Sequence, residues 1–144
     1  MISTKGRYAL RVMADLAEQP PGEYIPLREI SERQDISEKY LEAILRKLVQ
    51  NGLLDGRRGK HGGYRLTRRP SEYPLSEILE LAEGSVAPVV CLVDSGKGCE
   101  RAEFCRTLPM WRRLDDLLRG FLADTTLEDL IRPWLKNEER AVTQ

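Results

Sequence analysis

The 144-residue sequence predicts a mainly α-helical fold with a small β wing. The arrangement expected is a winged helix-turn-helix followed by a long C-terminal helix. Three stretches carry that expectation. Residues 38–50 place apolar side chains at Leu41, Ile44, Leu45, Leu48 and Val49, the i, i+3, i+4, i+7, i+8 spacing of one buried helical face. A short Gly-rich segment, Arg57-Arg58-Gly59-Lys60-His61-Gly62-Gly63-Tyr64-Arg65-Leu66, follows at once and reads as a two-stranded basic hairpin. Farther on, Leu108, Trp111, Leu114, Leu117, Leu118, Phe121 and Leu122 recur every three or four residues, so 107–124 reads as one long helix.

In chain order, Ser3 can cap a first helix reaching about Gln19, with Tyr8, Leu10, Val12, Met13, Leu16 and Ala17 on its apolar side. Pro20-Pro21-Gly22 stops it. A short helix, Leu27 to about Gln34, turns Leu27 and Ile30 inward. Gln34-Asp35-Ile36 then leads to Ser37, the N-cap of the next helix, and Asn51-Gly52 offers it a left-handed C-terminal turn. Two helices joined by so short a turn make a helix-turn-helix whose second member is the recognition helix. After the hairpin, Leu75 to about Glu83 is a short amphipathic helix ended by Gly84. Residues 85–106 read as a loop, long for a connection without structure of its own. Past the long helix, Thr125-Thr126 caps a last helix through Leu130, Ile131, Trp134 and Leu135, and a polar tail follows. The broad apolar stripe of 107–124 must be buried either by a partner helix from a second subunit or by the chain's own first helix.

Composition narrows the function. Hydrophobic residues make up 41% and charged residues 32%, enough for a folded core. No apolar run is long enough to span a membrane, and the first residues lack the apolar core of a signal peptide, so the cytoplasm is expected. A net charge of zero hides an asymmetry. Residues 1–73 hold 14 Lys/Arg against 10 Asp/Glu, whereas 74–144 hold 9 against 13. With His61 as the single histidine, no Ser/His/Asp or Cys/His pair is available, and no phosphate-binding Gly-rich loop follows a strand, so an enzyme is not expected. Between Asp55 and Glu72 lie six basic side chains and no acid. A helix with a polar outer face beside such a wing suits duplex DNA, the helix in the major groove and the wing on phosphates or in the adjacent minor groove. A solvated hairpin beside an ordinary surface helix is the plainer alternative. The modest basic excess favours a dimer, which doubles the phosphate contacts.

Cys91, Cys99 and Cys105, spaced C-x7-C-x5-C, all fall in the 85–106 loop. An odd count argues against a disulfide framework. Soft thiols on one loop suit an iron–sulfur cluster or zinc, a redox-active thiol site, or no special chemistry at all. Lys97, Arg101 and Arg106 favour the thiolate form. Asp94, Glu100 and Glu103 are the nearby oxygen candidates for a fourth ligand, and a partner subunit is another source.

Several motifs recur in order along the chain: Ser3-Thr-Lys-Gly-Arg-Tyr-Ala9, Ile30-Ser-Glu-Arg-Gln34, Ile36-Ser37, Tyr40-Leu-Glu42, Asn51-Gly-Leu53, Arg58-Gly59, Gly62-Gly-Tyr64, the cysteine trio and Trp111. Together they resemble the Rrf2 family of bacterial winged-helix regulators, especially its IscR-like branch. The CymR-like branch, which regulates cysteine metabolism and lacks the trio, is similar in the first half and in Thr125–Leu130. The resemblance implies a homodimer on double-stranded promoter DNA, not on a membrane, that controls iron–sulfur assembly genes. The alternative is a thiol-responsive or cysteine-metabolism regulator without a cluster. It further implies a [2Fe–2S] cluster on Cys91, Cys99 and Cys105. DNA contacts are expected from Lys5, Arg28, Ser37, Lys39, Tyr40, Glu42, Arg46, Arg58, Gly59, Lys60 and His61. A dimer interface is expected from Leu108, Trp111, Leu114, Leu118, Phe121 and Leu122. One position departs from the pattern. Leu108 stands where the IscR-like branch has a histidine ligand, and Arg7-Tyr8 offers no acid where another branch draws one from the partner. The expected organisation is a DNA-binding domain at 1–83 (helix-turn-helix about 27–52, wing about 53–67), a cluster-binding loop at 84–106, dimerisation helices at 107–135 and a flexible tail at 136–144.

Overall fold

A computed structural model describes residues 1–96 and 99–132. The helices are α1 (Thr4–Ala17), α2 (Leu27–Gln34), α3 (Glu38–Gln50), α4 (Leu75–Glu83), α5 (Leu108–Asp124) and α6 (Leu127–Ile131). Between α3 and α4, β1 (Leu54–Arg57) and β2 (Gly63–Leu66) pair antiparallel with Leu54 opposite Leu66 and Arg57 opposite Gly63. No helix among the described residues is long and apolar enough to cross a membrane.

Local chemistry sets the ends of the reading helices. Ser37 accepts a hydrogen bond from Tyr40 N–H at 3.3 Å and caps α3. Gly52, at φ +78°, closes α3 in a Schellman turn, with Leu53 N–H donating to Leu48 O and Gly52 N–H to Val49 O. Asp35 ends α2 at φ +53°, a left-handed conformation that aspartate tolerates better than most residues. Helix α1 stops at Ala17, two residues before the expected end, because its last turn closes on Glu18 and the chain then enters Pro20-Pro21.

One core joins α1 to α6. Val12, Met13, Ile30, Leu41, Leu45, Leu48, Leu53, Leu54, Ile78 and Leu79 are buried in it, each stabilised by roughly 1.5–3 kcal/mol of transfer free energy. Leu122 of α5 and Leu127 of α6 belong to the same core, which therefore continues across the boundary expected near residue 84. Isolated bridging at Pro74 and Thr126 ties α6 back to the start of α4, through Leu75 N–H to Thr125 O and Leu127 N–H to Tyr73 O, both 2.9 Å.

Two buried polar groups lock the scaffold. Asp15, on the inner side of α1, accepts from Arg33 at 2.8 and 3.0 Å and from Gln34 at 2.8 Å, tying α1 to α2. The Tyr73 ring is fully buried, and its hydroxyl donates to Leu53 O at 2.8 Å while accepting from the N–H groups of Thr67 and Arg68. That hydroxyl pins the base of the wing to the chain entering α4.

The segment expected to be a loop has structure of its own among the described residues. It holds a 3-10 helix (Val90–Gly96) and a small second core of Ala87, Leu92 and Leu108, against which Val89, Cys91, Ala102, Cys105 and Trp111 pack. The expected helical positions Trp134 and Leu135, the tail at 136–144, Lys97 and the side chain of Asp94 lie outside the described residues.

Candidate nucleic-acid interface

Helix α3 and the wing enclose an open groove of about 520 Å³. It is lined on the helix side by Glu42, Arg46, Val49 and Gln50, and on the wing side by Arg57, Arg58, Gly59 and Tyr64. The helix contribution follows from its periodicity. Leu41, Leu45 and Leu48 bury one face, so Glu42, Arg46 and Gln50, four residues apart, share the other. Gln50 and Arg57 are absent from the contacts expected from motifs, and the four-residue spacing from Glu42 is the signal that could have found Gln50.

The wing stands where it does because a third segment braces it. Ile25 and Tyr64 exchange two backbone hydrogen bonds of 2.9 Å. Gly63 sits there at φ +147°, and a Cβ on it would run into the Ile25 carbonyl, so only glycine allows this approach. On the same side, Tyr24 O–H donates to Asp55 at 2.7 Å, Arg65 pairs with Asp55 at 3.0 Å, and the Arg65 guanidinium lies 4.3 Å from the Tyr24 ring centre. The hydrogen bond from Tyr24, and then Arg65, hold the Asp55 carboxyl below its usual range, while the same bond pushes the Tyr24 phenol up.

This bracing corrects the simple count of basic charge. Of the six basic side chains between Asp55 and Glu72, Arg65 is held by Asp55, Arg68 by a two-pronged contact to Glu77 at 2.7 and 2.8 Å, and Arg69 by Glu72 at 3.2 Å. Arg57, Arg58 and Lys60, with His61 beside them, have no acidic partner among the described residues and lie at the exposed end of the hairpin. The positive field is thus concentrated at the tip.

The other expected DNA-facing residues divide. Lys39 is exposed on the first turn of α3, and Ser37 is exposed but used as its cap. Tyr40, 38% exposed, packs edge-on against Tyr8 of α1 with ring centres 5.5 Å apart, and Arg11 lies over the Tyr8 ring. Glu42 pairs loosely with Arg46 at 3.4 Å on the exposed face. Lys5 lines a separate pocket with Tyr40, Ala43 and Lys47 and does not line the groove between helix and wing. Arg28 pairs with Glu32 at 3.1 Å on α2 and does not line that groove.

The three cysteines are free thiols, each partly exposed. Cys91 and Cys105 pack on the second core, and Cys105 lies just before α5. The Thr107 hydroxyl 3.2 Å from its sulfur, then the N–H groups of Thr107 and Leu108, hold the Cys105 thiol below its usual range, and Arg101 adds to this. Among the described residues no three His, Cys, Asp or Glu side chains are gathered closely enough to hold a metal ion. Leu108, 4% exposed, fills the second core and offers no donor. The thiols therefore suit an iron–sulfur cluster in chemical type, but among the described residues they are not drawn together into a site.

The structure also divides the residues expected at a dimer interface. Leu108 and Leu122 are buried inside their own protomer, and Trp111 and Leu118 pack partly against its two cores. Leu114 and Phe121 stand exposed, with Met110 and Leu117 beside them; Phe121 is 64% exposed and Leu117 56%. Helix α5 packs mainly on α4, where the one-chain alternative placed it on α1, and shows this stripe outward.

Comparison with known proteins agrees with this geometry. Residues 2–133 match the family model Rrf2, described as an iron-dependent transcriptional regulator. The chain is 40% identical over 131 residues to the HTH-type transcriptional regulator IscR of Escherichia coli, covering 90% of this chain and 79% of that protein. It is 38% identical over 130 residues to IscR of Photorhabdus laumondii, covering 90% and 78%. Among solved structures, CymR, the global cysteine regulator of B. subtilis, superposes with a TM-score of 0.74 at 35% identity, covering 90% of this chain and 95% of that one. T. potens IscR superposes with 0.72 at 32%, covering 98% and 90%. A recognition helix beside a wing charged at its tip, on a chain matched along almost its whole length, makes this protein a member of the Rrf2 family of transcriptional regulators.

Proposed function

We propose that the chain binds promoter DNA as a homodimer, with α3 in the major groove and the wing tip on the adjacent backbone. The observation that carries this reading is the groove in which Glu42, Arg46 and Gln50 face Arg57 and Arg58, because it sets base-reading and phosphate-binding groups side by side. Arg46 and Gln50 can donate to purine edges, and Glu42 can accept from a cytosine amino group while repelling a misplaced phosphate. Lys39 and Tyr40 reach the backbone beside the helix N-terminus. The exposed stripe of α5 supplies the dimer contact.

Cys91, Cys99 and Cys105 would hold a [2Fe–2S] cluster, with the fourth ligand from outside the described part of this chain. Bound there, the cluster would make promoter choice depend on iron–sulfur status, with iron–sulfur assembly genes as the expected targets. A second reading, a thiol-responsive regulator of cysteine metabolism, is favoured by the lowered Cys105 thiol and by the likeness to CymR.

One experiment separates them. The protein is purified without oxygen, its iron and visible absorption are measured beside a triple Cys→Ala variant, and both are profiled against a random duplex library. Iron and colour lost in the variant, with a changed site preference, support cluster sensing. A colourless, iron-free protein that selects the same sites supports the thiol reading. Selection of no duplex at low ionic strength refutes DNA binding altogether.

A further inference from the structure

The Glu83 carboxylate, at the last residue of α4 and next to the cysteine segment, sits on the N-terminus of α1. It accepts from Ser3 N–H at 2.7 Å, from the Ser3 hydroxyl at 2.8 Å and from Gly6 N–H at 2.7 Å. These are donors that a helix leaves unpaired within itself, and the N-terminal end of the helix dipole favours the negative charge. Burial alone would push the carboxyl up, but the three hydrogen bonds outweigh it and hold the group below the usual glutamate range. The approach depends on Gly6, since a Cβ there would stand 2.6 Å from Glu83 Oε1 and 3.0 Å from Leu79. Ser3 and Gly6 both belong to the opening motif, whose other members have no such contact.

Contacts lead away from this carboxylate in both directions. Toward DNA, Tyr8 follows Gly6 by two residues on α1, and its ring supports Tyr40 of the recognition helix. Toward the thiols, Glu83 is followed by Gly84, Val86 in the main core, and Ala87 in the second core that also takes Cys91 and Cys105. Ala87 O also accepts from the Met1 nitrogen at 2.9 Å. Only three residues lie between Glu83 and Ala87, four steps of chain or about 14 Å at full stretch. The second core is thus linked to the start of α1 at two points, through Met1 and through Glu83.

We propose that Glu83 is a positioning residue that couples the cysteine segment to the DNA-reading surface, by holding α1 so that Tyr8 sets the pose of Tyr40. This rests on the proposal that the cysteine segment controls DNA binding. A change that moves the second core moves Glu83, turns the first turn of α1 and alters the Tyr8–Tyr40 contact. Loss of the carboxylate leaves α1 attached by its buried face and by the Met1–Ala87 contact, and removes the stronger of the two links between the ends.

The test measures operator affinity of the full-length protein in two states, reconstituted with iron and sulfide and metal-free, for the unmodified chain, Glu83→Gln and Ser3→Ala. The quantity read is the ratio of the two dissociation constants. For Glu83→Gln the ratio is expected to fall to within about twofold of one, and for Ser3→Ala to an intermediate value. A purely structural role weakens both states alike and leaves the ratio unchanged, which would overturn the inference. If Glu83→Gln does not fold, Ser3→Ala decides by the same ratio. If the unmodified chain itself shows a ratio of one, the sensing reading fails and this inference falls with it. A ratio kept in the variants but present in the unmodified chain removes the coupling role alone.

Discussion

The helix-turn-helix and the α5 region use apolar and polar groups in opposite ways. In the first, Ile30, Leu41, Leu45 and Leu48 are buried, Asp15 is held by Arg33 and Gln34, and the charges at the base of the wing pair with neighbours. In the second, Phe104 is 82% exposed, Phe121 and Leu117 are more than half exposed, and three thiols stand free. The reading half is complete within one chain, whereas the α5 half shows surface that a soluble monomer seldom leaves in water. The difference is what the proposed second-copy contact rests on.

Breaking the α5 side is expected to have the largest effect. Leu117→Glu with Phe121→Glu places two carboxylates on the outward stripe without touching Leu118 or Leu122 in the core. Dimer dissociation should rise by at least about a hundredfold, roughly 3 kcal/mol, in the range of interface anchors. Sedimentation should then show monomers, and specific DNA binding should be lost because each subunit supplies only half the phosphate contacts. An unchanged dimer would show that the stripe is not the interface.

On the completed side, Asp15→Ala leaves the Arg33 guanidinium only its looser 3.6 Å contact to Glu29 and cuts the tie between α1 and α2. Hydrogen bonds to a charged group contribute about 1.5–3 kcal/mol, and Arg33 is partly exposed, so a loss of about 2 kcal/mol in chemical denaturation is expected. A loss under about 0.5 kcal/mol would mean the pair is not a tie between these helices.

At the groove, the outer face of α3 and the tip of the wing can be set against each other. Arg58→Ala should weaken binding to all sequences and reduce the salt slope by about one, while Glu42→Ala should shift preference at one base position by about 1–3 kcal/mol and release Arg46. Equal salt slopes for Arg58→Ala and the unmodified chain would remove the tip from the phosphate contact.

Acid should produce the smallest and most local change. Glu83 is held below its ordinary value of 4.5, so its contribution is fully present above that pH and is lost as pH falls through the lowered value. Protection of the amides at the start of α1 should fall as pH drops below 4.5 and through the lowered value, before α3 loses protection. Simultaneous loss in both helices would show that the cap is not a local element.

Much of the reading half was legible because its signals are local. Apolar spacing in α3, Ser37 as cap, Asn51-Gly52 as stop and the Gly-rich hairpin each act within a few residues. The second core was not legible, because Ala87, Leu92 and Leu108 lie far apart in sequence and show no period. Leu108 read as interface for the same reason: the pattern gives a helix its apolar side without saying what covers it.

The sequence by itself determined the order of the helices, the wing, the buried face of α3 and the placement of all three thiols in one segment. Those follow from periodicity and turn chemistry, which are short-range. Only the tertiary structure decided that Arg65, Arg68 and Arg69 are neutralised while Arg57 and Arg58 are not. It alone showed that α5 buries Leu118 and Leu122 and exposes Phe121, and that Glu83 rests on the first turn of α1. Ion pairing and burial depend on which distant residues meet, and a one-dimensional pattern does not record those meetings.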